Sequence, residues 1–245
     1  MHVYRLYVPV QPKVGIVSLH GDTAHRLINV LRLRPGDAFA LTDGKGNEMR
    51  SRLIKAQRDE ALVEIYEVTQ PSREPKGHIC LAITVLKGER FDWLIQKAVE
   101  LGVREILPLL TRNCVVRISR DDSQRKQKRW LSIAISAMEQ SGGCVLPIIH
   151  EPTSLSEALA RAKHFDARIM LHEGAERALH QAVGELVMAK SAVLFVGPEG
   201  GFDDAEVEEA VSHGVVAVNL GRRILRSETA AIVGTAIILH HLEKP

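Results

Sequence analysis

The first seventy residues alternate apolar and polar positions in short runs, which is the pattern of β-strands separated by turns. The runs VYRLYV, GIVSL and ALVEIYEV are rich in β-branched and aromatic residues. DAFALTDGKGNEMRSRLIKA indicates two strands joined by a turn at residues 43–47. Between them, DTAHRLINVLRL has apolar residues at helical spacing, with Asp22 as the expected N-cap. This part of the chain predicts a small β-barrel with one helix.

The pattern changes after residues 69–77, TQPSREPKG, which contain two prolines, one glycine and no apolar periodicity. Continuous apolar runs then alternate with helical segments such as RFDWLIQKAVELG. The apolar runs are ICLAITVL, EILPLL, ARIMLHE, AVLFVG and VVAVNLG. Because strands buried on both faces have this pattern, we expect a parallel sheet covered by helices, an α/β fold.

Two of these strands end in unusual glycine-rich loops, VGPEGGF and VNLGRRILRSETA. The loops lie about twenty residues apart, so we expect neighbouring strands with both loops at the carboxyl edge of the sheet, where ligands bind. A third strand ends at His172 and Glu173, and taken alone this strand end is weaker evidence for a ligand site. Neither glycine loop matches GxxxxGK[ST] or GxGxxG. Backbone amides and carbonyls in such loops suit an adenine edge and a ribose.

The last helical segment, ETAAIVGTAIILHHL, is apolar almost all the way round, with Ser227 as the expected N-cap. A helix of this kind is buried either in the core of its own chain or against a partner subunit. The sequence leaves both alternatives open.

Charge is distributed unevenly along the 245 residues, although the net formal charge is only +2. Residues 1–131 carry 23 Lys and Arg against 15 Asp and Glu, and residues 132–245 carry 9 against 15. The basic front half favours contact with a polyanion such as RNA, although a merely solvated surface has the same composition.

Several classes of protein are disfavoured by the residue types and their spacing. Three separated cysteines and the absence of HExxH spacing indicate neither a disulfide framework nor a metal site. No run approaches eighteen apolar residues, and the first ten residues lack a signal peptide's apolar core. We therefore expect a cytoplasmic protein without membrane contact or metal.

The motifs VGPEGGF and LGRRILRSETAA, with GERFDWLIQKAVELGV, RWLSIAISAMEQSG and HRLINVLRLRPGD, resemble those of the ribosomal RNA small-subunit methyltransferase E family. Members of that family methylate N3 of a uridine in 16S rRNA, using S-adenosylmethionine. The resemblance implies a SPOUT-type fold, in which the parallel sheet carries a deep trefoil knot, together with an N-terminal PUA-like β-barrel and a homodimer. It implies an RNA-binding domain at residues 1–72 and a methyltransferase domain at residues 73–245, which binds the cofactor, catalyses the reaction and dimerises.

The resemblance also assigns the cofactor pocket to the three strand ends. The implied cofactor-binding residues are His172, Glu173, Gly197, Glu199, Gly200, Gly201, Leu220, Gly221, Ile224 and Leu225. One position departs from the family pattern, because Gly143 stands where an arginine is expected after Glu139 and Gln140. If that arginine contacts RNA, either a neighbouring basic residue replaces it or the affinity for RNA is lower.

Uracil N3 carries a proton in its neutral form, so methylation needs a base or a cation that stabilises the imide anion. Arg226, which lies in the glycine loop VNLGRRILRSETA, is the expected cation, and Glu228 and Glu139 are the candidate bases. Arg226 could instead form a structural ion pair. Glu228 could instead stabilise the N-terminus of its helix through its charge alone.

RNA contacts are expected in both halves of the basic front region. The candidate RNA-binding residues are Arg5, His25, Arg32, Arg125, Lys126 and Arg129. The last three lie in the run RKQKR, which could equally be a solvated helix face.

Three other functions remain open from the sequence. A nicotinamide-dependent oxidoreductase has a similar sheet, but this chain lacks the dinucleotide fingerprint and its acidic residue. A non-catalytic RNA-binding module explains the basic half and leaves the glycine loops unexplained. A methyltransferase that acts on a ribose 2′-oxygen or on tRNA would use the same cofactor loops.

Overall fold

A computed structural model of the protein describes residues 4–184 and 188–243. The chain divides into two compact units, one of residues 1–74 and 138–146, the other of residues 75–137 and 147–245. The last turn of the helix Arg120–Ser141, with the residues that follow it up to 146, groups with the first unit, whereas the rest of that helix belongs to the second.

The first unit is a five-stranded sheet with one short helix, as the alternating pattern predicts. Its strands are β1 Arg5–Tyr7, β2 Gly15–His20, β3 Ala38–Thr42, β4 Glu48–Ala56 and β5 Glu60–Thr69, in the order β1-β3-β4-β5-β2. The β1–β3 pair is parallel and the other pairs are antiparallel. The predicted turn joins β3 to β4, and the Asp43 carboxylate accepts hydrogen bonds from the backbone N–H groups of Lys45 (2.8 Å) and Asn47 (3.1 Å).

The helix of the first unit begins earlier than the sequence predicts. Helix α1, Gly21–His25, continues directly into a π-helical turn, Arg26–Val30. Its N-cap is His20, which makes no side-chain capping hydrogen bond. Asp22 is therefore a first-turn residue and not the N-cap. The predicted apolar face of the helix is confirmed, since the fully buried Leu27 packs with Phe39, Met49 and other side chains in the core of this unit.

The second unit is a parallel sheet with helices between its strands. Its strands are β6 His78–Thr84, β7 Glu105–Leu110, β8 Ile148–Ile149, β9 Thr153–Ser154, β10 Ala167–Leu171, β11 Ser191–Val196 and β12 Val216–Val218. The order is β12-β10-β11-β6-β7-β8, with β9 also paired to β7, and every pair is parallel. The helices are α2 Glu89–Glu100, α3 Arg120–Ser141, α4 Leu155–Ala162, α5 Leu179–Gly184, α6 Asp204–Ser212 and α7 Ser227–Leu242. The predicted parallel α/β sheet is thereby confirmed.

The two strands that precede the glycine loops are not neighbours. Strand β10 lies between β11 and β12 and pairs with both. The prediction of adjacent strands was wrong because the chain places an earlier strand between them, and local spacing does not encode that insertion. The loops still lie at one edge, since all three strands are parallel.

Helix α7 packs one side against the sheet. An added Cβ at Gly234 would lie 3.0 Å from Cδ2 of Leu194 and 3.2 Å from Cδ1 of Leu171, so glycine permits a close approach. On the other side, Val233 and Ile237 are 38% and 37% exposed. The N-cap is Arg226, whose backbone is extended, and Ser227 is the first helical residue, so the helix begins one residue earlier than predicted.

No helix among the described residues is long and apolar enough to cross a membrane.

Candidate functional site

A cavity of about 190 Å³ opens at the carboxyl ends of β10, β11 and β12. Three chain segments form its walls, residues 171–173, 196–202 and 218–225, together with Ser227 and Ala230 of helix α7. All ten predicted cofactor-binding residues lie in these segments and line the cavity: His172, Glu173, Gly197, Glu199, Gly200, Gly201, Leu220, Gly221, Ile224 and Leu225. The lining also includes Asn219, Arg222 and Arg223, which the sequence analysis did not assign.

The glycines of the first loop have reasons within the turn itself. An added Cβ at Gly197 would lie 3.1 Å from the Phe202 ring and 3.2 Å from its backbone nitrogen. Gly201 has φ +70°, which side-chain-bearing residues rarely adopt, and its N–H donates to the carbonyl oxygen of Pro198 (3.0 Å). The turn therefore folds tightly on itself and presents bare backbone to the cavity.

Side chains from elsewhere in the second unit hold this turn in place. The Asn113 amide donates to the carbonyl oxygens of Gly200 (3.3 Å) and Gly201 (3.2 Å). Arg90, at the start of α2, forms an ion pair with Glu199, and this hydrogen bond raises the pKa of the Arg90 guanidinium. The sequence analysis missed both residues. Arg90 lies in the motif GERFDW, which the resemblance had singled out, but no local spacing connects that motif to a loop about a hundred residues later.

The other two walls are ordered by backbone contacts and one amide. The backbone N–H of His172 donates to the carbonyl oxygen of Val218 (2.9 Å), which links the first and third walls. Asn219 donates to the Ala175 carbonyl oxygen (2.7 Å) and accepts from the N–H of Gly221 (3.0 Å). Ile224 is 80% exposed beside the cavity. The cavity thus has ordered polar walls and one exposed apolar lip.

The three predicted catalytic residues lie in different surroundings. Arg226 is exposed and lies outside the cavity lining, and its side chain makes no hydrogen bond or ion pair with any described residue. Glu228 also lies outside the cavity lining, between the lining residues Ser227 and Ala230, is only 9% exposed, and has its Oε1 3.9 Å from Arg90. Its Oε2 is buried and has no hydrogen-bond partner among the described residues. A buried carboxylate oxygen without a partner costs about 1–3 kcal/mol, so this position is open to a further donor.

Glu139 belongs to the first unit and is already engaged there. Its carboxylate accepts from the backbone N–H of Tyr7 (2.7 Å) and from Arg26, at 3.1 and 2.5 Å. The structure therefore gives Glu139 a structural role in that unit, between β1 and the π-helical turn.

The RNA-binding candidates of the first unit differ in their availability. Arg5 is paired with Glu48 (3.1 Å), whereas His25 and Arg32 are exposed. Arg32 has φ +54° and is the only residue other than glycine with a positive φ in the described ranges. Such a backbone conformation is uncommon for a residue that carries a side chain.

The basic run RKQKR lies in α3 and is partly ion-paired. Arg125, 82% exposed, pairs with Asp122 at 2.8 Å, and Arg129 pairs with Asp92 at 2.5 Å. Lys126 is half-buried and has no ion pair with a described residue. The run keeps two exposed guanidinium groups, although each already has a carboxylate partner.

The position that departs from the family pattern, Gly143, has little room for a side chain. An added Cβ would lie 3.3 Å from Cγ of Met138. Two arginines lie beside the neighbouring Gly142, since Arg5 would be 3.4 Å from its added Cβ and Arg73 donates to its carbonyl oxygen (2.5 Å). Basic side chains therefore do lie next to this loop, and Arg73 was not assigned from the sequence.

No group of three or more His, Cys, Asp or Glu side chains with metal-binding geometry occurs among the described residues.

Comparison with known proteins identifies the family of both units. Residues 72–239 match the model of an RNA methyltransferase domain, and residues 19–66 match that of an RNA methyltransferase PUA domain, which confirms the PUA-like prediction. The ribosomal RNA small subunit methyltransferase E of Bacillus subtilis is 30% identical over 231 residues, which cover 92% of this chain and 90% of that protein.

Solved structures extend this likeness to the fold. The ribosomal RNA small subunit methyltransferase E of Neisseria gonorrhoeae, bound to S-adenosyl methionine, has a TM-score of 0.89 at 33% identity and 98% coverage of both chains. A Legionella pneumophila protein described as a methyltransferase, in complex with the bound cofactor, has a TM-score of 0.90 at 30% identity and the same coverage. With a domain model that matches more than half of its length and relatives similar along nearly all of it, the chain belongs to the ribosomal RNA small subunit methyltransferase E family.

Proposed function

We propose that this protein transfers a methyl group from S-adenosylmethionine to N3 of a uridine in 16S rRNA of the small ribosomal subunit. The cavity at the carboxyl edge of the parallel sheet carries this proposal, because ten residues of the expected cofactor pocket line it. Family membership supports the same activity, and the relative from Neisseria gonorrhoeae was solved with S-adenosyl methionine bound.

The residues that line the cavity fit this cofactor. The turn at residues 197–201 and the loop at residues 219–221 present backbone N–H and carbonyl groups, which can bind an adenine edge and ribose hydroxyls. Leu171, Val196 and Leu220 supply apolar surface to the same cavity. When bound, the cofactor supplies an electrophilic methyl group on a sulfonium. The protein's part is to hold the uracil ring in line with it and to exclude water.

We assign proton removal at uracil N3 to the end of helix α7 that borders the cavity. Glu228 is the proposed base, because it has a free buried oxygen, whereas both oxygens of Glu139 are bound to Arg26. Arg226 is the proposed cation for the uracil oxygens, since it is exposed, directly precedes Ser227 of the cavity lining and is free to reach a ligand.

We propose that residues 1–72 bind RNA and that residues 73–245 bind the cofactor, catalyse the transfer and dimerise. Arg5, His25 and Arg32 would contact phosphates from the first unit, and Arg125, Lys126 and Arg129 from helix α3. Guanidinium groups that exchange a surface carboxylate for a phosphate lose little, because exposed ion pairs contribute only about 0–1 kcal/mol. The protein would act in the cytoplasm, where it meets the small subunit.

We propose a homodimer that covers the exposed side of helix α7. Val233 and Ile237 lie one helical turn apart on that side, and Ile224 and Leu225 of the preceding loop are also exposed. Neighbouring exposed apolar side chains of this kind are typical of protein–protein contacts. The trefoil knot of the SPOUT type stays a prediction that follows from the resemblance.

The decisive experiment is to map methylated uridines in 16S rRNA from a strain that lacks the gene, by mass spectrometry of nuclease fragments. One fragment should lose 14 mass units, and the purified protein with S-adenosylmethionine should restore the methyl group at N3. Restoration of a ribose 2′-O-methyl group, or of a tRNA modification instead, would contradict the proposed acceptor.

A further inference from the structure

A second cavity, of about 560 Å³, opens at the opposite edge of the parallel sheet, where β6, β7 and β11 begin. It shares no lining residue with the cofactor cavity. Its floor consists of buried side chains that are each at most 3% exposed: Cys80, Leu107, Ala158, Ala162 and Val193. A cavity of this size with an apolar floor is large enough to enclose most of a small organic molecule.

Among the described residues that line this cavity, Glu105 is the one carboxylate, and both of its oxygens are engaged. Its Oε1 lies 2.7 Å from Nε2 of His78, and its Oε2 lies 2.6 Å from Nε2 of His150. These two hydrogen bonds, the stronger from His150, lower the pKa of Glu105 against the opposing effect of burial. The carboxylate therefore stays ionised between two imidazole groups and offers no free oxygen to a ligand.

The rim of the cavity is cationic. Lys76, Arg161 and Lys190 are exposed lining residues, and His164 lies beside them. The side chains of Lys76 and Arg161 form no hydrogen bond or ion pair with a described residue. Two carboxylates outside the lining compensate part of this charge, since, beside the hydrogen bonds that these carboxylates accept, Arg161 lowers the pKa of Glu157 and Lys190 lowers that of Asp166. Among the described lining residues, three permanent positive charges still face one negative charge.

An aromatic side chain adds a flat surface beside this rim. The Phe165 ring is partly buried and meets the His78 ring edge-on, with centroids 5.7 Å apart. Phe165 and His78 both line the cavity. An aromatic ligand could therefore contact both apolar floor and aromatic wall, as rings do in protein interiors.

We propose that this cavity is a second binding site, for a small aromatic or similarly flat organic molecule that carries one phosphate or carboxylate group. Its apolar body lies on Leu107, Ala158 and Val193, and its anion binds Arg161, Lys76 and Lys190 at the rim. A guanidinium can bind a phosphate or a carboxylate through two parallel hydrogen bonds, so Arg161 can accept a ligand with either group. The site is separate from the proposed methyl transfer and does not depend on it.

The probe for this site is 1-naphthyl phosphate, titrated by calorimetry with S-adenosylmethionine at saturation so that the cofactor cavity is filled. We expect binding at least tenfold tighter than that of 1-naphthol, which lacks the charge, or of inorganic phosphate, which lacks the apolar body. A parallel titration with 1-naphthoate distinguishes phosphate from carboxylate as the preferred anion.

Two charge-reversal variants locate the binding. Arg161→Glu should weaken 1-naphthyl phosphate at least tenfold, and Lys76→Glu should do the same at a second, exposed position of the rim. Lys163→Glu is the matched control, because Lys163 follows α4 directly but does not line the cavity, and its effect should stay within twofold. All three variants should remain folded and should keep their cofactor affinity; a small fall in melting temperature is expected for Arg161→Glu and Lys163→Glu, which reverse a charge at the C-terminus of α4.

Three results would overturn the proposal. They are no heat of binding with 1-naphthyl phosphate or 1-naphthoate at millimolar concentration, equal affinity for 1-naphthol, and rim variants that bind as well as the Lys163→Glu control. A failure of the protein to methylate 16S rRNA while it still binds 1-naphthyl phosphate would count against the proposed function alone.

Discussion

Arg90 of helix α2 forms an ion pair with Glu199 in the glycine turn, so a helix from early in the second unit holds a wall of the cofactor cavity. The same guanidinium lies 3.9 Å from Glu228, the proposed base. One side chain thereby connects the turn that borders the cofactor cavity with the carboxylate assigned to proton removal.

Replacing Arg90 should loosen this turn. We expect Arg90→Ala to weaken S-adenosylmethionine binding by up to about fivefold, since a half-exposed pair contributes at most about 1 kcal/mol. Turnover should fall further, because Glu228 also loses its nearest cation. Calorimetry and single-turnover methylation measure the two effects. Lys97→Ala is the control, since Lys97 pairs with Glu100 on the same helix away from the turn, and unchanged Arg90→Ala affinity would contradict the prediction.

Arg226→Ala should separate catalysis from binding. Loss of a cation that meets charge on the uracil oxygens costs about 10²–10³ in rate, while cofactor affinity should stay within twofold. Arg226 has no ion pair with a described residue, so melting temperature should not change. Lysine should restore little, because it lacks the planar fork. A parallel fall in melting temperature, cofactor affinity and rate would instead identify a structural ion pair.

Glu228→Gln tests the proposed base at nearly constant side-chain volume. General-base catalysis contributes about 10²–10⁴ in rate, so single-turnover methylation of small subunits should slow by that amount. Removing a buried charge whose Oε2 has no described partner should leave the melting temperature equal or higher. Glu139→Gln is the comparison. We expect it to lower the stability of the first unit, because it weakens the pairing with Arg26, and a rate loss confined to this variant would reassign the base.

Ile237→Lys should disrupt the proposed homodimer. A lysine on the exposed side of α7 would place a charge in an apolar contact, and sedimentation at micromolar concentration should shift from dimer to monomer. Val211→Lys provides the control, since Val211 is 53% exposed on α6 and belongs to no proposed interface. A wild-type protein that sediments as a monomer would remove the basis of this proposal.

The hydrogen bonds of Glu157 at the N-terminus of α4 should make the stability of the protein depend on pH. The Glu157 carboxylate accepts from the Thr153 hydroxyl (2.5 Å) and from the Ser154 N–H (3.1 Å) and hydroxyl (2.8 Å), which lowers its pKa to about 2. Because the folded pKa lies below the unfolded value of 4.5, its contribution to stability is complete above that pH and disappears as the pH falls toward 2.

Urea unfolding of the wild type and of Glu157→Gln checks this dependence. The difference in unfolding free energy should be largest at neutral pH and should shrink as the solution approaches pH 2. Ser154→Ala, which removes the N-cap hydroxyl, should cost about 1 kcal/mol at neutral pH and should make the Glu157→Gln difference smaller. A difference that is independent of pH would contradict the assigned hydrogen bonds.

Local pattern was sufficient to predict the elements that form the cavity. Apolar runs identified the strands, and the unusual glycine content after β11 marked a loop whose backbone borders a cavity. These features are encoded within a few residues, because side-chain periodicity and positive φ angles are properties of short segments. The ten pocket residues themselves came from the family resemblance; they all line this one cavity, whereas their roles stay predictions.

Long-range partners could not be predicted in the same way. Asn113 and Arg90 contact a turn that lies 87 to 109 residues later in the chain, and no periodicity connects such positions. The place of β10 between β11 and β12 is likewise a matter of tertiary packing. The N-caps at His20 and Arg226 were misplaced because the flanking Asp22 and Ser227 are preferred capping residues that the backbone places inside the helix.

The order of segments along the chain has a consequence for synthesis on the ribosome. Strand β6 pairs with β11, whose first residue, Ser191, lies opposite His78 in the register. A nascent chain must therefore leave one edge of β6 without its β11 partner while more than a hundred further residues are made, a slow and aggregation-exposed route for a parallel sheet. Every residue of the first unit precedes Leu171, so translation completes that unit before the first residue of the cofactor cavity has been made.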